Sequence, residues 1–305
     1  MSLLYFLESI RMPGLNAFML TVTRLGEETA FLVAALIVFW CVDKRKGYYV
    51  MAVGFFGTIA NQFLKLLCRV PRPWVLDPNF TILEQAREAA AGFSFPSGHS
   101  TSSVGTFGSL ALCLEKKWLK RVCIAVCVLV PLSRMYLGVH TPYDVLAGAA
   151  TALVLIVLLR GMVHGISERR MWVYMGVLLC MAAGLLLFTE NYPFVIAQDQ
   201  MHNLHSGEKN AYTMLGCILG LMIGYPLEER YVKFDTKAVW WAQILKTVLG
   251  LLVVLAVKEG LRAPLDALFA GHMAARAVRY GLIVLVAGCV WPMSFQWFAK
   301  LGVKK

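Results

Sequence analysis

Charge is scarce in this chain. Only 15% of its 305 residues are charged, 59% are hydrophobic, and the mean hydropathy is +0.65. A water-facing domain needs roughly a quarter of its residues charged to cover its surface, so a soluble fold is excluded. Residues 1–11 lack a basic leader and place Glu8 inside an apolar stretch, which argues against a cleavable signal. No internal repeat, low-complexity linker or polar domain interrupts the pattern. The eight cysteines (Cys41, Cys68, Cys113, Cys123, Cys127, Cys180, Cys217 and Cys289) lie within or at the ends of apolar runs. They have neither the close pairing of a zinc site nor the loop placement of a disulfide framework, and read as small packing residues. His202, His205 and Glu208 share a polar stretch, but their spacing is a weak metal pattern, so neither metal nor cofactor is expected. The formal charge of +11 does not mark a nucleic-acid partner either. The basic residues cluster in short gaps, as at Asp43–Lys46 and Glu115–Arg121, rather than along a groove interleaved with aromatics.

Uninterrupted apolar sequence is abundant. A membrane-crossing helix takes about 20 such residues. About nine runs qualify: 26–42, 47–67, 97–114, 121–138, 143–162, 171–190, 210–226, 240–260 and 277–298. The expected fold class is all-α, a polytopic transmembrane helical bundle. Residues 1–25, broken by Glu8, Arg11, Pro13 and Arg24, read as an interfacial segment. Residues 26–165 read as a transmembrane core and 166–305 as additional C-terminal transmembrane helices. Loops 43–46, 115–121, 160–170 and 227–239 and the tail after 298 hold most of the Lys and Arg, which makes that side cytoplasmic. The loops at 68–96, 139–142, 191–209 and 261–276 then face the exterior or an organelle lumen.

Ionisable groups at the ends of spans are costly without partners or a function, and three clusters of them fall on the outer side. Lys65 ends the second span ahead of Arg69, Pro71, Arg72 and Pro73; each cation alone could simply snorkel to the interface. Pro96-Ser97-Gly98-His99 opens the third span, where the backbone N–H groups of Ser97, Gly98 and His99 are expected to lie unpaired at a helix start and form a ready anion site. An ordinary helix cap with an incidental histidine is the alternative. His140-Thr141-Pro142-Tyr143-Asp144 sits at the start of the fifth. If Thr141-Pro142 begins that helix, Asp144 can accept from one ring nitrogen of His140 and leave the other unprotonated; a structural His–Asp pair would look the same. Together with Arg134, the three clusters form a set suited to holding and transferring a phosphoryl group.

The combination of Lys65 with Arg72-Pro73, Pro96-Ser97-Gly98-His99, and Ser133-Arg134 with His140 and Asp144 resembles the three-part signature of the type 2 phosphatidic acid phosphatase superfamily. The resemblance covers roughly residues 26–162 and leaves the last four runs outside. It implies that His140 attacks phosphorus and becomes a phosphohistidine, that Asp144 orients it, and that His99 protonates the leaving oxygen. Lys65, Arg72, Ser97, Gly98 and Arg134 would bind the phosphate, with no metal and no cofactor. The expected partners are membrane lipid and a phosphorylated lipid substrate: a polyprenyl diphosphate, phosphatidylglycerophosphate, phosphatidate or sphingoid phosphate. The nine-run layout is also similar to glucose-6-phosphatase, which makes a sugar phosphate the alternative substrate, and a transporter or scramblase retaining the fold is the second. The expected place is a plasma membrane with an extracytoplasmic site, or an organelle membrane with a lumenal one. Residues 83–91 are expected to form a short lid helix. The last four runs are expected to wall a lateral path for lipid or to form a homodimer surface.

Overall fold

Helix starts and stops follow proline, glycine and capping residues. The computed structural model describes residues 1–87, 90–193 and 201–302. The chain begins with α1 (Ser2–Ser9) and α2 (Pro13–Thr23), then a 3-10 turn over Arg24–Gly26. Next are α3 (Glu28–Ile37), extended by a π turn through Val42, α4 (Lys44–Cys68) and the single turn α5 (Pro73–Leu76). The segment 83–91 holds only a 3-10 turn over Glu84–Ala86 instead of a lid helix, and positions 88 and 89 lie outside the described residues. Three helices follow: α6 (Gly98–Cys113), α7 (Lys117–Tyr136) and α8 (Pro142–Leu158). After these are α9 (Glu168–Asn191), α10 (Met201–Leu227), α11 (Trp240–Gly260), α12 (Arg262–Leu268), α13 (Ala274–Leu285) and α14 (Phe295–Lys300). Proline occupies the first turn of α2, α5 and α8, where its missing N–H costs nothing. Ser97, Thr141 and Ser167 cap α6, α8 and α9.

Each of the nine apolar runs is helical, but not every helix is long and apolar enough to cross a membrane. Among the described residues five are: Lys44–Leu76, Glu168–Asn191, Met201–Val232, Trp240–Leu268 and Ala274–Lys300. A sixth results if Pro13–Gly26 and Glu28–Val42, bent by 56°, form one span. By length α6 and α8 fall short of about 20 residues, and α7 carries Lys117, Lys120, Arg121 and Arg134.

The chain divides into two units. The first comprises Met1–Ala34, Tyr49–His164 and Pro193–Gly207. Its centre is α6, which packs on α7 and α8, while α2 lies on α7. The inward faces of α6 are small: Ser100, Thr101, Ser103, Gly105, Thr106 and Ser109 are buried. Small residues let helix backbones approach closely in a membrane. A Cβ on Gly148 of α8 would stand 2.5 Å from Ser97 O and 3.0 Å from Thr101 Oγ1. One on Gly108 of α6 would stand 2.7 Å from Ile156 Cδ1. The second unit comprises Ala35–Tyr48, Gly165–Tyr192 and Glu208–Lys305. There Gly216 and Gly220 of α10 abut the backbone of Ala277 and Gly281 on α13, a spacing of four typical of close helix pairs. Lys246, buried on α11, donates to Trp40 O at 2.9 Å, and Lys44 pairs with Glu228 at 2.8 Å. All eight cysteines are unbridged.

The α6–α8 approach can be tested. Gly148→Ala should cost about 1–3 kcal/mol by overpacking and lower the thermal midpoint in detergent. Gly176→Ala on α9, where a Cβ meets nothing within 4 Å, should leave it unchanged or slightly raised. Equal midpoints for the two variants would contradict the packing described.

Candidate active site

The loop between α7 and α8 sets the central histidine. Gly138 adopts φ +82°, and a Cβ there would stand 2.8 Å from Arg11 Nη2 and 3.0 Å from Phe80 Cε1. Glycine alone suits that conformation and that space. Two residues on, His140 is buried at the α8 cap. Thr141 and Asp144 form a capping box: the Asp144 amide donates to Thr141 Oγ1 at 3.3 Å, and the Thr141 amide donates to Asp144 Oδ2 at 2.7 Å. The same Oδ2 lies 3.5 Å from His140 Nδ1. Arg72 Nη1 lies 2.9 Å from His140 Nε2 and 3.4 Å from Nδ1. A guanidinium only donates, so its nearer approach, to Nε2, suits a ring that carries its proton on Nδ1, toward Asp144. Burial, and then the charges of Arg72, Arg134, Lys65 and His99, hold His140 well below the ordinary imidazole range. It is therefore neutral at physiological pH.

The three cations are held differently. Lys65, on the last turn of α4, donates to Phe93 O. Arg72 donates to Gly92 O through Nε (3.1 Å), Ala91 O through Nη2 (3.0 Å) and Val139 O through Nη1 (2.8 Å). Three consecutive carbonyls, 91 to 93, thus receive both cations. Gly92, at φ +77°, turns the chain there. Arg134 is fully buried on α7; its Nη1 donates to Thr23 Oγ1 at 2.9 Å, while Nε and Nη2 have no hydrogen-bond partner among the described residues.

The start of α6 completes the arrangement. The Ser97 amide, one of the three expected to be unpaired, donates to Asp144 O at 2.9 Å and locks α6 to α8. Ser97 Oγ accepts from the Ser100 hydroxyl at 2.9 Å and keeps its own proton to donate. The amides of Gly98 and His99, at the first two helical positions, have no acceptor within the helix. His99 Nε2 is buried without a partner among the described residues. All eight residues singled out in the sequence (Lys65, Arg72, Ser97, Gly98, His99, Arg134, His140 and Asp144) lie in the first unit. Two contributors escaped the sequence reading. Ser94, fully buried, donates to Asp144 Oδ2 at 2.6 Å, and Asn61 Nδ2 donates to Pro96 O at 3.2 Å, one helical turn before Lys65. Ser94 stands two residues before a recognised segment, the one signal that could have drawn attention to it.

Comparison with known proteins identifies the family. Residues 45–168 match the PAP2 superfamily, and residues 212–304 match the transmembrane extension of PAP2 superfamily phosphatases. The family likeness therefore extends into C-terminal helices that the three-part signature leaves out. Phosphatidylglycerophosphatase B of Bacillus subtilis is 32% identical over 176 residues, spanning 53% of this chain and 81% of that protein. An undecaprenyl-diphosphatase of Sulfolobus acidocaldarius is 28% identical over 136 residues, 44% of this chain and 64% of that protein. The crystal structure of a transmembrane PAP2-type phosphatidylglycerolphosphate phosphatase from Bacillus subtilis superposes with a TM-score of 0.46 at 28% identity, covering 55% of this chain and 85% of that one. The chain belongs to the PAP2 superfamily and is a multi-pass membrane phosphatase, a hydrolase of phosphoric esters.

Proposed function

We propose that the chain hydrolyses phosphate monoesters or diphosphates of membrane lipids through a phosphohistidine on His140, at the extracytoplasmic or lumenal face. The observation that carries this reading is the set of buried polar atoms without a protein partner, Arg134 Nε and Nη2 and His99 Nε2, in the site built around His140. A phosphoryl group supplies the acceptors that a guanidinium edge and a helix N-terminus lack. His140 Nε2 attacks phosphorus, and the N–P bond forms as the bond to the leaving oxygen breaks. Asp144 holds the Nδ1 proton and stabilises the positive ring. His99 delivers a proton to the leaving oxygen, then takes one from the water that cleaves the phosphohistidine. Arg134 forks two phosphate oxygens, and Arg72 shifts its Nη1 hydrogen bond from His140 to the phosphate. Lys65, Ser97 and the Gly98 amide bind the remaining charge. Charge placement of this kind lowers a phosphoryl-transfer barrier without a metal or cofactor.

A lipid is favoured because a site at the ends of spans suits an amphiphile whose phosphate lies at the membrane surface. The names of the two relatives above, a phosphatidylglycerophosphatase and an undecaprenyl-diphosphatase, support the same class. The test is phosphate release by detergent-purified protein, with EDTA present, from a polyprenyl diphosphate, phosphatidylglycerophosphate, phosphatidate, sphingosine phosphate and glucose 6-phosphate. Release from one or more lipids, abolished in His140→Ala, is expected. Release from glucose 6-phosphate alone, or release that needs a metal, would overturn the reading.

The neutral state of His140 predicts a pH profile. Protonation blocks attack, so kcat/KM falls only where pH drops below the free enzyme's His140 pKa. Burial and then the neighbouring cations hold that pKa down, so the acid limb should lie below about 6.5, the ordinary imidazole value. Arg72→Gln removes one cation and should move the limb to higher pH. An unshifted limb in that variant, or a wild-type limb at or above 6.5, would contradict the assignment.

A further inference from the structure

The N-terminal segment lies outside both stretches that match the superfamily, which begin at residue 45 and residue 212. It nevertheless reaches the site. Arg11 Nε donates to Tyr136 O at 3.1 Å, and the Tyr136 hydroxyl donates to Asn16 Oδ1 at 2.6 Å, so α1 and α2 are tied to the end of α7 that carries Arg134. At Gly26 the chain runs so close to α6 that a Cβ would stand 3.0 Å from both His99 Cβ and His99 O, and 2.8 Å from Val130 Cγ1. Between these contacts sits Thr23, 5% exposed, whose hydroxyl accepts from Arg134 Nη1 at 2.9 Å.

That bond has a geometric consequence. A guanidinium is planar and presents its donors in a rigid fork. With Nη1 held by Thr23, the edge left over is the Nε and Nη2 pair, and those are the two nitrogens without a partner. This is an edge that can grip two oxygens of one phosphate. Arg72, by contrast, already has Nε, Nη1 and Nη2 on backbone carbonyls. Arg134 is thus the cation whose free fork is set by a side chain distant in sequence.

We propose that Thr23 is a positioning residue for the phosphate site: its hydroxyl orients Arg134 so that the Nε/Nη2 edge faces the phosphoryl group. The N-terminal segment is then a working wall of the site. This rests on the phosphatase reading above.

The test compares Thr23→Val, which keeps the shape and removes the hydroxyl, with Thr23→Ser, which keeps it. Inhibition by orthovanadate, kcat/KM on the best lipid of the panel and the thermal midpoint are measured for each. A hydrogen bond to a charged group is worth enough to change an equilibrium about ten- to a hundredfold. Thr23→Val should raise the orthovanadate inhibition constant and lower kcat/KM by about that factor, with the midpoint near wild type and Thr23→Ser close to wild type throughout. If Val packs badly, Thr23→Ala against Thr23→Ser still isolates the hydroxyl, since both lack the methyl group. Wild-type orthovanadate inhibition in the variants without the hydroxyl overturns the proposal, as does a loss shared equally by Thr23→Ser. A wild-type protein that neither cleaves any substrate nor responds to orthovanadate would instead sink the phosphatase reading itself.

Discussion

Asp144 Oδ2 faces His140 Nδ1 at 3.5 Å while accepting from the Ser94 hydroxyl and the Thr141 amide, and the backbone carbonyl of Asp144 accepts from the Ser97 amide. One residue therefore fixes the histidine ring, the cap of α8, the start of α6 and the segment leading into it. The small faces of α6 and α8 make this geometrically feasible. Only with Gly148 against Ser97 and Thr101 can the two helix starts come close enough to share a hydrogen bond.

Around that carboxylate the protein buries Lys65, Arg72 and Arg134, with Glu27 a further acid near Arg134. Buried charges need hydrogen bonds and counter-charge to be tolerated. Backbone carbonyls at 91, 92, 93 and 139 supply part of that for Lys65 and Arg72. Arg134 has only Thr23 on one nitrogen. Under the proposed function, a doubly charged phosphate supplies the acceptors that Arg134 Nε and Nη2 lack among the described residues.

Much of this was legible in the sequence, for identifiable reasons. The nine helical segments follow from apolar run length. The His140–Asp144 relation follows from helix spacing once Thr141-Pro142 is recognised as a helix start. Other features were not readable. Ser94 and Thr23 are ordinary hydroxyl residues, and their roles depend on contacts 50 and 111 positions away. The Ser97 amide looked free because its acceptor comes from another helix. Helix length and composition do not confirm nine spans, because an apolar run alone does not distinguish a crossing helix from a short one packed in protein, such as α6. The 83–91 stretch has helix-forming composition, yet its described residues form only the 3-10 turn Glu84–Ala86, and the Ala91 carbonyl at its end accepts from Arg72.

The claim on which the account rests is covalent: His140 becomes phosphorylated at Nε2 during turnover. The direct measurement is rapid quench of the enzyme with a 32P-labelled lipid phosphate, followed by peptide mapping under alkaline conditions that preserve phosphohistidine. The account predicts an acid-labile label on the peptide containing His140, formed and lost at rates compatible with turnover, and none on the peptide containing His99. A label on another residue, or turnover in which water attacks phosphorus with no labelled protein at any time, would contradict it.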